Sequence, residues 1–125
     1  MGPSDFTILI VDDEADLLEL IADSFELEGF NVQSTADGNK ALELANTDNI
    51  HIILCDQNLN DGITGLQVLE KVKENEKLNE CKFFLLTGDI TLDLNELKAK
   101  GVEGIVEKPF DSDQVVEQMK IILGV

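Results

Sequence analysis

An apolar stretch in the middle of the chain constrains the fold most strongly. Residues 52–55 run Ile-Ile-Leu-Cys without a polar interruption and stop at Asp56, after which a loop continues to Gly65. A strand that is apolar on both faces is typical of a parallel sheet covered by helices on both sides. The run therefore predicts a central strand over residues 50–55, with Asp56 at its carboxyl end, where open α/β sheets bind ligands. Asp is also a common turn residue, so Asp56 alone does not define a site.

Short apolar runs alternate with amphipathic segments along the whole chain. The predicted strands are residues 6–11, 30–35, 50–55, 82–87 and 104–106. The predicted helices are residues 15–28, 37–46, 65–74 and 91–100, followed by a last helix that opens at Asp111 and shares an apolar face among Val115, Val116, Met119 and Ile122. Five strand–helix units predict an α/β fold, a flavodoxin-like doubly wound (βα)5 domain with a five-stranded parallel sheet in the order 2-1-3-4-5. We expect one domain over residues 1–125, with residues 1–4 interpreted as an expression remnant outside the fold.

The charge of the chain narrows the choice of partners. Its formal net charge is −17, and all nine basic residues are lysines. Such a surface repels phosphate backbones and anionic lipids, which disfavours direct nucleic-acid and membrane binding. Cys55 and Cys81 have no metal-site or redox spacing, and no apolar segment approaches the ~20 residues of a membrane span. These features predict a cytoplasmic protein with reduced thiols.

Polar residues follow four of the predicted strands. Asp12 and Asp13 follow the first strand, Asp56 the third, Thr87 the fourth and Lys108 the fifth. Carboxyl ends of parallel strands meet at one edge, and strands one and three are neighbours about 4.8 Å apart in the predicted order. Three carboxylates brought so close repel one another, and Mg²⁺ relieves that repulsion. The set is typical of phosphoryl transfer, with Asp56 as nucleophile, the metal and Lys108 on the phosphoryl oxygens, and Thr87 as a hydrogen-bond donor.

Four motifs at these residues resemble the response-regulator receiver domain of two-component signalling. They are ILIVDDE at residues 8–14, ILCD at residues 53–56, LLTGD at residues 85–89 and EKPF at residues 107–110, and the resemblance covers nearly the whole chain. It implies that Asp56 is the phosphoacceptor, converted to 4-aspartylphosphate, and that Thr87 is the switch hydroxyl. It also implies that Lys108, followed by a cis peptide bond to Pro109, contacts the phosphoryl group.

The resemblance further implies a metal site and partners. The implied Mg²⁺ ligands are Asp12, Asp13, Asp56 and the backbone carbonyl of Asn58. The implied phosphoryl donor is a histidine kinase or a histidine phosphotransfer protein. The implied output is a protein target that binds the face made by helix 4, strand 5 and helix 5. Catalysis is expected to be limited to self-catalysed phosphotransfer and autodephosphorylation, with Asn58 and Asp89 near the hydrolytic water.

The sequence departs from the family pattern in two places. The loop after Asp56 is about one residue longer, with Asn60 where a proline is usual, and we expect Asp61-Gly62 to absorb the extra residue as a turn. Ile105 stands where many receivers have an aromatic residue that turns inward on activation. The sequence therefore does not predict whether the switch hydroxyl is coupled to a side-chain movement at this position.

Two other classes of protein fit the pattern less well. A magnesium-dependent phosphatase resembling the haloacid dehalogenases needs a second Asp two residues after the nucleophile, where this chain has Asn58. A flavin-binding protein needs a phosphate loop after the first strand, where the acidic residues Asp12, Asp13 and Glu14 would repel the phosphate. His51 is the only histidine, and it lies at the start of the third strand, far from the acidic cluster.

Overall fold

In the part of the chain that the structure describes, five parallel strands form the centre of the protein. The computed structural model describes residues 1–89 and 91–125. The strands are β1 (Thr7–Val11), β2 (Asn31–Thr35), β3 (Ile52–Asp56), β4 (Lys82–Thr87) and β5 (Val102–Glu107), and they pair in the order β2-β1-β3-β4-β5. In register, Val11 of β1 lies beside Cys55 of β3, and Asp56 lies beside Leu86 of β4. The predicted doubly wound fold and its strand order are confirmed.

Helices cover both faces of this sheet. Within the described ranges the α-helices are α1 (Ala15–Leu27), α2 (Gly38–Thr47), α3 (Gly65–Lys73), α4 (Leu94–Lys100) and α5 (Ser112–Leu123), with short 3-10 turns at Pro3–Asp5 and Glu76–Leu78. Helices α1 and α5 pack against one face of the sheet, and α2, α3 and α4 pack against the other. Every residue of β3 is therefore buried, which explains why its sequence does not alternate. The edge strand β2 is only partly covered.

Helix α4 begins later than the sequence predicted. Its N-cap is Asp93, whose carboxylate accepts hydrogen bonds from the backbone N–H groups of Asn95 and Glu96. The predicted start at Thr91 was wrong, because a capping carboxylate two residues later satisfies the free amides of the first turn. The helix ends as predicted, at Gly101, which adopts the left-handed φ of 109°.

Smaller differences concern the chain ends and strand limits. Ile122 was predicted to face the core, but it is exposed, and the buried face of α5 consists of Val115, Val116 and Met119. Strand β5 is longer than predicted, since it begins at Val102. The Asn31 side chain of β2 donates a hydrogen bond of 2.8 Å to the Ser4 carbonyl, so the N-terminal turn contacts the edge of the sheet. None of the described helices is long and apolar enough to cross a membrane.

Both cysteine thiols should be protected from alkylation in the folded protein. Cys55 and Cys81 are free and buried, and burial raises the pKa of both, that of Cys81 to about 11. The reactive thiolate is then roughly a thousandth of the Cys81 population at pH 8. We expect iodoacetamide at pH 8 to leave the native protein unlabelled and to add two groups in denaturing urea, as measured by intact mass spectrometry. Rapid labelling of the native protein would contradict this packing.

Candidate functional site

The polar residues singled out in the sequence lie together at the carboxyl edge of the sheet. Asp12 directly follows β1, Asp56 and Thr87 are the last residues of β3 and β4, and Lys108 directly follows β5. Asp12, Asp56 and Thr87 are at most 5% exposed, and Ser24 is the one other buried polar residue among those described. Burial of polar groups is costly unless they are paired, so this concentration at one edge marks a site.

Lys108 is the cation that compensates the buried carboxylates. Its Nζ lies 2.9 Å from Asp12 Oδ2, 3.1 Å from Glu14 Oε1 and 3.2 Å from Asp56 Oδ2. The peptide bond from Lys108 to Pro109 is cis, as predicted, and the Lys108 N–H donates to the Thr87 carbonyl at 2.9 Å. Burial alone would lower the pKa of Lys108, but its close contacts with the carboxylates of Asp12 and Glu14 and the nearby negative charges outweigh burial and raise it. The lysine is therefore held charged among three carboxylates.

The three aspartates form a pocket of oxygen donors. One carboxylate oxygen from each of Asp12, Asp13 and Asp56 lies within 4.8 Å of the others. Burial, followed by the charge of Asp12, raises the pKa of Asp56, although Lys108 opposes the shift. Asp12 Oδ2 is buried and, among the described residues, has the Lys108 ion pair but no hydrogen bond of good geometry. Hard oxygen ligands with excess negative charge fit Mg²⁺.

The groups on either side of this pocket have defined partners. Thr87 Oγ1 accepts a hydrogen bond from the Asp89 N–H at 3.0 Å, and the Asp89 carboxylate accepts from the N–H and the hydroxyl of Thr91 at 2.9 and 2.6 Å. The Asn58 N–H points to Asp56 Oδ1, at 3.4 Å. Asn58 thus contacts Asp56 and Thr87 lies at the end of the neighbouring strand β4. The Asp89 side chain, in contrast, is bonded to Thr91.

The loop between β3 and α3 closes over the end of β3. Asn60 and Asp61 form a turn and Gly62 has a φ of 84°, so a turn is present where the sequence predicted one. Asn58 and Thr64 form an isolated antiparallel bridge, which brings the two ends of the loop together. Helix α3 then starts with Thr64 and Gln67 in a reciprocal capping box.

Two contacts of the site were not predicted from the sequence. Glu14 was predicted only to add negative charge after the first strand, yet its carboxylate is a direct partner of Lys108. Asp61 was expected only to form a turn, yet its carboxylate accepts hydrogen bonds from the backbone and side chain of Asn39, the second residue of α2. Both contacts join residues far apart in sequence, and no local pattern predicts them.

His51 lies apart from this site, as expected. Its Nδ1 accepts a hydrogen bond from the Thr7 N–H at 3.0 Å, and its ring meets Phe6 edge-on at 5.0 Å between centroids. It borders a cleft of about 540 Å³ at the amino edge of the sheet, with Cys81 and Lys82 among its other residues. Neither the three aspartates nor Lys108 line that cleft, so it is separate from the acidic site.

The fold and the acidic edge define a class of doubly wound domain with carboxylates gathered at the ends of its central strands. The chain belongs to the response regulator receiver domain family, whose model matches residues 8–120. A phosphoacceptor role is typical of this family of signalling proteins.

Individual relatives agree with this assignment. The chemotaxis protein CheY of Pseudomonas aeruginosa is 31% identical over 117 residues, which cover 92% of this chain and 94% of that protein. An NtrX-like putative response regulator of Rickettsia felis is 32% identical over 94% of this chain, and the chain spans 25% of its length. The probable transcriptional regulatory protein TcrX of Mycobacterium tuberculosis is 33% identical over 94% of this chain, and the chain spans 49% of its length.

Solved structures show the same fold. The chemotaxis response regulator CheY4 of Vibrio cholerae superposes with a TM-score of 0.85 at 24% identity, covering 94% of this chain and 98% of that one. The receiver domain of the sensor histidine kinase PA1611 of Pseudomonas aeruginosa PAO1, solved with a magnesium ion coordinated in its active site cleft, gives a TM-score of 0.83 at 21% identity and full coverage of both chains.

Replacement of Gly65 should disturb the start of α3. A Cβ atom there would lie 2.6 Å from the Asp56 carbonyl oxygen and 2.9 Å from Leu85 Cδ1. Because the nearest atom belongs to the backbone of β3, it cannot move aside easily, and we expect Gly65→Ala to lower the free energy of unfolding by about 1–3 kcal/mol. Urea denaturation measures the loss.

Gly88→Ala is the matched control, since an added Cβ would find only the Lys108 carbonyl, at 3.8 Å. We expect its free energy of unfolding to stay within about 0.5 kcal/mol of wild type. Equal stability of the two variants would contradict the close approach of α3 to β3.

Proposed function

We propose that the protein is a phosphoacceptor switch in which Asp56 receives a phosphoryl group from a phosphohistidine donor. The observation that supports this most directly is the position of the Asp56 carboxylate, buried at the end of β3, 3.2 Å from the Lys108 ammonium and within 4.8 Å of two further carboxylates. A nucleophile so placed has a cation ready for the transferred group and oxygen ligands ready for a metal.

The metal in this proposal is Mg²⁺, held by the carboxylates of Asp12, Asp13 and Asp56 and by the backbone carbonyl of Asn58. When bound, it neutralises charge on the phosphoryl oxygens. The donor set fits because it consists of hard oxygens and carries more negative charge than Lys108 compensates. The magnesium ion of the PA1611 receiver domain lies in a protein of the same fold and supports this choice.

In the transfer step, a carboxylate oxygen of Asp56 attacks phosphorus. The new P–O bond forms as the P–N bond to the donor histidine breaks, and the leaving ring nitrogen keeps the electron pair and takes up a proton. Lys108 then follows the negative charge from the carboxylate to a phosphoryl oxygen. Thr87 can donate a hydrogen bond from its hydroxyl to another phosphoryl oxygen, since among the described residues that hydroxyl only accepts, from the Asp89 N–H.

The reaction is self-catalysed in this proposal, and hydrolysis of the acyl phosphate returns the resting state. Asn58 is the residue best placed near the hydrolytic water, because its backbone N–H lies 3.4 Å from Asp56 Oδ1. Asp89 is a weaker candidate than the sequence suggested, because Thr91 donates two hydrogen bonds to its carboxylate. Multiple turnover of a phosphate ester would instead favour the phosphatase class.

The partners in this proposal are proteins. The donor is a histidine kinase or a histidine phosphotransfer protein, and the output is a protein that binds the face formed by α4, β5 and α5. Helix α4 buries only Leu97 among its residues, so little packing energy opposes a change in its position. The net charge of −17 disfavours direct contact with nucleic acid or membranes, and we propose a cytoplasmic location.

Acetyl phosphate with Mg²⁺ should add one phosphoryl group to the wild-type protein. We expect intact mass spectrometry to show a single adduct that hydroxylamine removes, as it does other acyl phosphates. Asp56→Asn should give no adduct, because an amide is not a nucleophile of this kind. Asp16→Asn is the matched control, since it removes an equal charge from an exposed position in the first turn of α1.

Labelling of Asp56→Asn as full as that of wild type would refute the assignment of Asp56. Loss of labelling in both variants would instead point to a general charge effect.

Activation should change protection on the α4–β5–α5 face. We expect a beryllofluoride phosphate mimic with Mg²⁺ to alter hydrogen exchange in α4 and β5 of the wild-type protein, because Thr87 and Lys108 adjoin those elements and move towards the mimic. Ile105 is smaller than the usual aromatic residue, so we expect a small change. Asp56→Asn with beryllofluoride serves as the control, and changes confined to α1 and α2 would contradict the proposed output face.

A further inference from the structure

The loop after β3 is docked onto the first turn of α2. Asp61 Oδ2 accepts hydrogen bonds from both the backbone N–H and the side-chain amide of Asn39, each at 3.0 Å. Beside this contact, Leu59 and Ile63 of the loop close around Gly38, where an added Cβ would lie 3.1 Å from Leu59 Cδ1 and would collide with the Ile63 side chain. One polar and one apolar contact thus fix the middle of the loop to α2.

Helix α2 lacks its own side-chain cap and uses the loop instead. Its N-cap residue, Asp37, makes no capping hydrogen bond with its side chain. The first amides of a helix have no partner within the helix, and they favour a negative charge. Asp61 supplies that charge from the loop, and the hydrogen bond from the Asn39 backbone lowers the pKa of Asp61.

The same loop leads directly to the acidic pocket. Asn58 lies three residues before Asp61, and its N–H points to Asp56 Oδ1. The bridge between Asn58 and Thr64 closes the base of the loop, so the short segment from Asn58 to Asp61 is held at both ends. A loop of this length with exposed polar residues would otherwise sample several positions.

We infer that Asp61 is a positioning residue for the divalent-cation site: it caps α2 from the loop, and this contact holds Asn58 beside Asp56. The inference rests on the proposed Mg²⁺-dependent function. Because coupling between two sites is reciprocal, a cation at the acidic pocket also strengthens the contact between Asp61 and Asn39. Residues that touch neither the metal nor the phosphoryl group thereby set the affinity for both.

The test is a Mg²⁺ titration of wild type, Asp61→Asn and Asp61→Ala at 0.15 M salt, followed through the amide NMR shifts of Asp13 and Asn58. At this ionic strength, exposed charges more than about 8 Å apart are largely screened, which limits the direct effect of removing the Asp61 charge. We expect Asp61→Ala to bind Mg²⁺ about threefold to tenfold more weakly, a smaller loss than removal of a direct partner of a metal ligand. Asp61→Asn keeps an acceptor oxygen, so its Mg²⁺ affinity should lie between those of wild type and Asp61→Ala.

Asp93→Ala is the matched control. Asp93 also caps a helix from an exposed position, accepting hydrogen bonds from the amides of Asn95 and Glu96, but it lies at α4. The Asp93→Ala variant loses the same charge and the same kind of capping contact, but at α4 instead of at the loop after β3. We therefore expect this variant to bind Mg²⁺ as tightly as wild type.

A second readout needs no substitution. Hydrogen exchange at the Asn39 amide should slow when Mg²⁺ binds the wild-type protein and should quicken in Asp61→Ala without metal. Mg²⁺ affinity in both Asp61 variants equal to that of Asp93→Ala, or Asn39 exchange insensitive to Mg²⁺ in wild type, would overturn the inference while leaving the proposed function intact. Absence of any Mg²⁺ shift at Asp13 and Asn58 in wild type would overturn both.

Discussion

The structure depends on one cation among buried carboxylates. Two unit charges 4 Å apart interact by about 4 kcal/mol at an effective dielectric constant of 20, so Asp12 and Asp56 could not both remain charged at this edge without compensation. Lys108 supplies it, and the same ammonium also binds Glu14. The compensation is incomplete, since one cation serves three carboxylates and Asp13 stands beside them. The excess negative charge that makes the edge costly is what favours the proposed uptake of a divalent cation.

The parallel sheet is what makes this arrangement rigid. Asp56 is the last residue of a strand buried along its whole length, and Asp12 and Lys108 immediately follow β1 and β5. Their backbones are fixed by strand pairing and by helices on both faces, so the carboxylates cannot separate to relieve their repulsion. Of these groups, the long Lys108 side chain has the most freedom to change partners. The strands thus hold the carboxylates close together despite their repulsion, and Lys108 is the side chain that can most easily change its partners.

Sequence patterns predicted the strands, most helix limits and the shared edge of the sheet. The apolar run before Asp56 and the polar residues after four strands predicted the sheet, its order and the shared edge, because hydrophobic period and strand ends are local properties. The start of α4 was predicted at Thr91, but the Asp93 carboxylate accepts hydrogen bonds from two amides of the first turn and fixes the start there. Ile122 was assigned to the core because the last turn of a helix can lose its packing without any change in pattern. The contacts of Glu14 with Lys108 and of Asp61 with Asn39 join distant segments, which only the folded chain reveals.

The two sides of the site differ in how firmly they are held. On one side, the loop after β3 is bridged at its base, hydrogen-bonded to α2 through Asp61 and packed around Gly38. On the other side, the segment after Thr87 leads to α4, in which Leu97 alone among the helix residues is buried. In the proposed function, a phosphoryl group on Asp56 attracts Lys108 and Thr87, and the backbone is expected to shift where packing is weakest. The loop side would then keep the proposed metal ligands in place while the α4 side moves, so that one site is both preorganised for chemistry and responsive to its product.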